Sequence, residues 1–264
     1  MSSDVVASAL VGDVWPATEP GEDPVLYGHV TLEPRGAFEV RSLQTFKLTY
    51  TVGRYGIDDT GGIRIVFRFM GDWGELQTDD PRGYNYVTAT TNSSSRVSLA
   101  YANTGHQRPW FRSLTVKLHG GYLSEGDTIT IVFGDTSKGS PGMKMQTFVE
   151  SGFEFKVLAD VCAVGHYVPL PETPHISLVP GEVHLWRAIL PSLRRLDERF
   201  QLGLKAEDLW GNPTPLAEGR IRLEPSVPVH GLPNEIDYPL GEKSITLENL
   251  SVSRPGLLRI DCFL

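Results

Sequence analysis

Hydrophobic and polar residues alternate with a period of two through much of this chain. Phe46, Leu48, Tyr50 and Val52 alternate with Thr45, Lys47, Thr49 and Thr51. Ile63, Ile65, Phe67 and Phe69 alternate with Arg64, Val66, Arg68 and Met70, and Leu114, Val116 and Leu118 with Ser113, Thr115, Lys117 and His119. Ile129, Ile131 and Phe133 repeat the pattern against Thr128, Thr130 and Val132. Successive side chains of a strand point to opposite faces, so each run presents one apolar and one mostly polar face. That is the signature of half-buried antiparallel strands. A parallel sheet needs crossover helices, and no long helical period separates these runs.

The intervals 53–62, 71–83, 103–109, 120–126 and 134–142 hold the Gly, Pro, Asn and Asp of tight turns. Strands punctuated this regularly predict an all-β chain of antiparallel sandwiches. Phe153, Phe155 and Val157 continue the pattern, and Pro169, Pro171 and Pro174 follow. So many prolines exclude a central strand and favour a stiff, extended segment. The expected organisation is therefore a weakly ordered arm over 1–20, a larger sandwich over 21–167, a proline-rich linker over 168–174 and a second sandwich over 175–264. Strands are expected at 175–179, 183–190, 200–206, 220–223, 244–247 and 257–262, with one helical turn at 193–199. The last strand leaves no room for another to pair back, so the second sandwich reads as one strand short or as cut from a longer parent.

Composition supports this picture and narrows the function. The chain has 264 residues, 40% hydrophobic and 21% charged, with 27 Gly and 19 Pro. That suits a soluble globular protein that turns often. A net charge of −8 opposes nucleic acid, and Arg and Lys look dispersed rather than striped. No apolar run is long enough to cross a membrane. Met1 to Leu10 lacks the features of a secretory signal, so the expected compartment is the cytoplasm, a removed leader aside. Cys162 and Cys262 form no CxxC pair and read as two buried thiols rather than a disulfide or zinc site.

Few residues suggest chemistry. His166, His175 and His184 fall nine apart, but odd spacing alternates strand faces, so they make a poor metal set. No HExxH, GxSxG or P-loop order occurs, and no cofactor or metal is implied. The run Gly-Asp-Thr-Ser-Lys-Gly-Ser-Pro-Gly at 134–142 is the most distinctive loop. Asp135, Ser137, Lys138 and Ser140 could line an anion-binding concavity there. The competing reading is a hairpin loop in which Asp135 bonds local N–H groups. His106, Arg108, Trp110 and Arg112 form a second candidate, with Trp110 and Arg112 on one face by parity. Asp72, Trp73, Asp79 and Asp80 mark a third loop without a calcium-binding rhythm. Residues 205–213 read as a structural turn, with Asp208 accepting N–H bonds and Gly211 at positive φ.

That turn resembles the strand–turn signature of bacterial immunoglobulin-like domains, where an Asp, a Gly-Asn-Pro turn and a following strand recur. A wider resemblance rests on residues 134–148, the run Phe153-Glu-Phe-Lys-Val157 and residues 205–213. It is to the amino-terminal region of a bacterial family of unknown function. Full-length members of that family carry β-sandwich modules ahead of a metal-dependent hydrolase domain of the polymerase-and-histidinol-phosphatase type. The hydrolase motif Gly-Asp-Leu-His is absent from this chain, so none of its metal ligands transfers. The resemblance implies a non-catalytic accessory or binding module with a metallohydrolase-type partner domain or subunit. Two alternatives stand beside it. One is an enzyme acting on a small, anionic molecule in the first sandwich or at the inter-domain seam, using Asp135, His106 or Arg112. The other is a structural unit that forms homo-oligomers through exposed strand edges.

Overall fold

A computed structural model describes residues 23–263, so the expected arm over 1–20 lies outside the described residues. The described residues are β-stranded, with every strand pairing antiparallel, apart from the short helix α1 (Pro24–Tyr27) and one turn of 3-10 helix at Thr136–Lys138. No described helix is long and apolar enough to cross a membrane. The chain divides into two compact units, residues 1–178 and 179–264.

The first unit runs β1 (His29–Glu33), β2 (Ala37–Glu39), β3 (Leu43–Gln44), β4 (Phe46–Thr51), β5 (Gly62–Phe67), β6 (Val87–Thr91) and β7 (Arg96–Ala102). It continues with β8 (Arg112–His119), β9 (Thr128–Phe133), β10 (Met143–Lys144), β11 (Glu150–Glu154), β12 (Lys156–Asp160), β13 (Val168–Pro169) and β14 (His175–Val179). One sheet has the order β1-β4-β9-β6 and the other β13-β12-β5-β8-β7. The alternation is borne out within the strands, except that Phe69 lies beyond β5 and is exposed and Val66, on the opposite face, is buried. Phe46 pairs with Phe133, Leu48 with Ile131 and Tyr50 with Ile129 in the first sheet. Ile63 pairs with Val116 and Ile65 with Leu114 in the second. All ten side chains are buried in one continuous core. Full burial of each aliphatic or aromatic side chain contributes roughly 1.5–3 kcal/mol, so this layer is what holds the sandwich closed. A three-stranded sheet, β11-β14-β2, adds Phe153, Ile176 and Leu178 to that core. The Phe46 and Phe155 rings meet edge to face at 5.5 Å within the core.

The proline-rich segment is not a linker. Val168–Pro169 forms the edge strand β13 on β12, and the Leu170 N–H donates to the Val157 carbonyl at 2.9 Å. Proline lacks an N–H and cannot serve a central strand, but an edge strand needs bonds on one side only. The next strand, β14, also belongs to the first unit, pairing Ile176 with Phe153 and His175 with Glu154. The division therefore falls after Leu178, later than the proline count suggests.

The second unit contains β15 (Leu185–Ile189), β16 (Phe200–Glu207), β17 (Gly219–Pro225), β18 (Glu235–Tyr238), β19 (Ile245–Leu250) and β20 (Ile260–Phe263). They form two three-stranded sheets, β15-β16-β19 and β18-β17-β20. Leu202, Leu204 and Ala206 of one sheet and Ile221, Leu223 and Tyr238 of the other fill the space between. β18 escaped the sequence reading because its four residues, Glu-Ile-Asp-Tyr, are too few to show a period. No helical turn forms at 193–199; Asp197 takes a left-handed φ of 59° in a turn instead. β20 pairs with β17, Cys262 opposite Leu223, and its other edge has no strand partner among the described residues. Cys162 and Cys262 are both exposed, not buried: Cys162 lies in the bend after β12 and Cys262 on the edge strand β20.

The turn at 205–213 is built as its residues suggest. The Asp208 carboxylate accepts from the N–H groups of Trp210 and Asn212, both at 2.9 Å, and of Gly181 at 3.1 Å. Burial pushes this carboxyl up, but the hydrogen bonds outweigh it and hold it below the usual aspartate value. Gly211 adopts φ 86°, which a Cβ would disfavour.

Candidate functional site

In the loop at 134–142 the Asp135 and Ser140 side chains are already engaged within the protein. The Asp135 carboxylate accepts from Ser137 N–H at 2.9 Å and from the Thr88 hydroxyl at 2.6 Å, so it caps the 3-10 turn. Burial raises its pKa, but these bonds and the Lys138 charge lower it further, and the carboxylate stays ionised. Ser140 donates to the Gly83 carbonyl at 2.7 Å and accepts from Gly142 N–H. Gly134 takes φ 64° and passes so close to Met143 N that an added Cβ would stand 2.1 Å away. Glycine serves the chain path here, not a ligand. Ser137 and Lys138 are exposed on the outside of the loop.

The second candidate is divided by the sheet. Arg112 opens β8 and donates to the carbonyls of Gly71 at 2.7 Å and Gly74 at 3.2 Å, with its guanidinium 4.8 Å from the Trp73 ring centroid. Trp110 lies before β8, in a turn closed by its N–H on the Gln107 carbonyl at 2.7 Å. Strand parity does not reach it. It packs instead with Val66, Leu158 and Tyr167 on the outer face of the five-stranded sheet.

That outer face carries the most unusual chemistry of the first unit. In β5, Arg64 and Val66 point outward together, and Lys156 of β12 stands opposite Val66. The Lys156 ammonium is 5.0 Å and the Arg68 guanidinium 5.2 Å from the Trp110 ring centroid. Arg64 stacks 3.9 Å from the Tyr167 ring centroid and donates to Thr115 Oγ1 and the Gly105 carbonyl. Arg108 reaches the Phe69 and Phe111 rings at 5.6 and 5.4 Å. Each such contact contributes about 0.5–1 kcal/mol at an exposed site. None of these four cations has an ion-pair partner among the described residues. His106 sits beneath them. Burial first, then the charges of Arg64 and Lys156, push it down to about 4, so it is neutral near pH 7. The dispersed cations of the sequence are thus gathered by β5, β12 and the 105–111 turn.

Two cavities flank β11. One of about 720 Å³ is lined by Arg35, Ser151, Glu154, Glu172, Thr173 and His175, among others. The second, of about 260 Å³, is lined by Phe67, Trp73, Phe148, Phe153, Met70, Arg68, Gln146, Glu150 and Glu154. A register shift between Glu150 and Phe153 bulges the strand between them. Bulges re-aim side chains beside sites in this way. Asp72 ties the 71–74 loop to the segment before β11 by accepting from Thr147 N–H at 2.8 Å and Thr147 Oγ1 at 2.7 Å. Sequence reasoning marked Trp73 but missed Phe148, Glu150 and Glu154; the only signal was a Glu at every fourth position beside Phe153.

His166 is exposed, His175 lines the larger cavity and His184 belongs to the second unit. No group of three or more His, Cys, Asp or Glu side chains among the described residues is placed to hold a metal ion.

No family model matches the chain, and no curated protein matches it. A solved structure of FdeC, an Escherichia coli adhesin, aligns over 89% of this chain at 11% identity with a TM-score of 0.25. The chain spans 58% of that structure's length.

Proposed function

We propose that this chain is a non-catalytic β-sandwich binding module, and that the outer face of its five-stranded sheet docks an acidic protein surface. The observation that carries this reading is the gathering of Arg64, Arg68, Arg108 and Lys156 around Trp110 and Tyr167 without carboxylate partners, in a chain of net charge −8. Like charges on neighbouring strands repel and cost stability. An acidic partner removes that cost and adds charge-assisted hydrogen bonds. Tryptophan, tyrosine and arginine are also the residues that dominate protein–protein binding energy. The metallohydrolase-type domain implied by the sequence resemblance enters this proposal as the candidate owner of the acidic surface.

The test is titration with a fluorescent oligoglutamate peptide, with oligoglutamine as the uncharged control. Wild type should bind the acidic peptide with an affinity that falls steeply as salt rises. The triple variant Arg68→Gln, Arg108→Gln, Lys156→Gln should lose at least about tenfold, roughly 1.4 kcal/mol. Equal binding by wild type and variant, or equal binding of the two peptides, overturns the reading.

A further inference from the structure

The smaller cavity beside β11 lies apart from the cationic face in its chemistry. Its walls are aromatic and apolar: Phe67, Trp73, Phe148 and Phe153, with Met70 at the rim. Phe67, Trp73 and Phe153 are buried and hold one another edge to face or tilted, with centroids 5.2 to 6.4 Å apart. Phe148 is 40% exposed and Met70 67%, so the mouth is open to solvent.

Two carboxylates reach into this apolar setting from one strand. Glu150 accepts from Gln146 Nε2 at 2.8 Å, and Glu154 accepts from Thr173 Oγ1 at 2.6 Å. Each of those bonds occupies one carboxylate oxygen. Neither glutamate has a cationic partner among the described residues. Arg68 also lines the cavity. The Arg68 guanidinium stands over Trp110, and Arg112 donates to Gly71 and Gly74.

Aromatic walls attract a cation through the ring quadrupole, and a carboxylate at the rim adds direct attraction in a partly desolvated setting. An apolar body of the ligand would fill the wall side. We infer that this cavity binds a small organic ammonium ion, quaternary or alkylated, with its charge against Glu150 and Glu154 and its carbon body against Phe148 and Phe153. A volume of about 260 Å³ is below the roughly 300–1,000 Å³ of drug-sized sites, which limits the ligand to a small amine. No bond is made or broken; the site is a receptor.

The experiment is a calorimetric titration of the full chain with butyltrimethylammonium, and in parallel with its uncharged tert-butyl analogue. The ammonium should bind saturably, and the analogue at least tenfold more weakly. The double variant Glu150→Gln, Glu154→Gln keeps an oxygen to accept from Gln146 and Thr173. It should therefore melt at the wild-type temperature and lose at least tenfold in ammonium affinity. Phe148→Ala, which removes an exposed wall, should lose affinity as well. The variant Arg108→Gln, Lys156→Gln, which leaves the cavity lining unchanged, should retain ammonium binding, which separates this site from the acidic-partner face. Equal affinity for the ammonium and its uncharged analogue overturns the inference. So does unchanged affinity in the folded double variant, or no binding of the ammonium to folded wild type.

Discussion

The two units treat their charges in opposite ways. Of the eight ion pairs among the described residues, seven lie in the second unit and one, Arg41 with Asp72, in the first. In the second unit Glu207, only 3% exposed, is clamped by Lys205 at 2.6 Å and Arg187 at 2.9 Å. Arg220 pairs across strands with Asp237, and Arg222 with Glu224 along its own strand. Charges there complete the fold. On the outer face of the first unit, cations meet aromatic rings and one another instead. Ion pairs thus dominate in one unit and cation–ring contacts on one face of the other, and the proposed docking reading takes the second set as charge held for a partner. The comparison can be broken by removing charges from each side and reading stability.

The largest effect is expected from Asp208→Ala. It removes one carboxylate that satisfies the N–H groups of Gly181, Trp210 and Asn212 in a buried turn. Leaving buried donors unsatisfied costs about 1–3 kcal/mol each, partly recovered by water, so a total loss of about 3 kcal/mol follows. Urea unfolding followed by circular dichroism should show it. The same carboxyl, and that of Glu207, lie below their ordinary values in the folded chain. Their stabilisation is complete above the unfolded values near pH 4 and is lost as pH falls through the folded ones. A loss below about 1 kcal/mol would place the turn among dispensable features and weaken the contrast.

Next comes His106, whose folded pKa of about 4 lies below the unfolded value near 6.5. The unfolded chain therefore takes up a proton first as pH falls. Stability is complete above about pH 6.5 and declines toward pH 4. Between pH 7 and pH 5 the loss should be on the order of 1 kcal/mol once solvent screening is allowed for. His106→Gln should remove that part of the slope in urea midpoints. An unchanged slope would show that burial and the neighbouring cations do not hold this ring neutral in the folded chain.

How much of this was legible along the chain differs between strand and site. The cores were readable because Leu48, Ile65, Val116 and Ile131 each sit in a run whose period is the strand's own. The cationic face was not. Lys156 comes beside Arg64 only through the pairing of β12 with β5, about ninety positions apart in the chain, and a local pattern carries no register for such a pair. Trp110 was misassigned for a different reason: parity counts only inside a strand, and this residue precedes β8. The loop at 134–142 left two readings open because glycine, serine and aspartate look the same whether they bond a ligand or one another. Only the bonds to Thr88, Ser137 and Gly83 decide.

The smallest effect is the one that bears most directly on the comparison. If Arg68 and Lys156 serve the fold, replacing both with Gln should destabilise the first unit by their two contacts to Trp110, about 1–2 kcal/mol in sum. If they are held for a partner, their mutual repulsion and that with Arg64 offset those contacts. Wild-type and variant urea midpoints should then agree to within about 0.5 kcal/mol, as for ordinary surface substitutions. The second expectation follows from the geometry, since the two charges approach one aromatic ring with no anion between them. Salt sharpens the test. Added salt screens the repulsion among exposed charges, so wild type should gain stability relative to the variant as ionic strength rises. A variant clearly less stable at every salt concentration would assign these cations to the fold, as in the second unit, and the contrast between the two units would disappear.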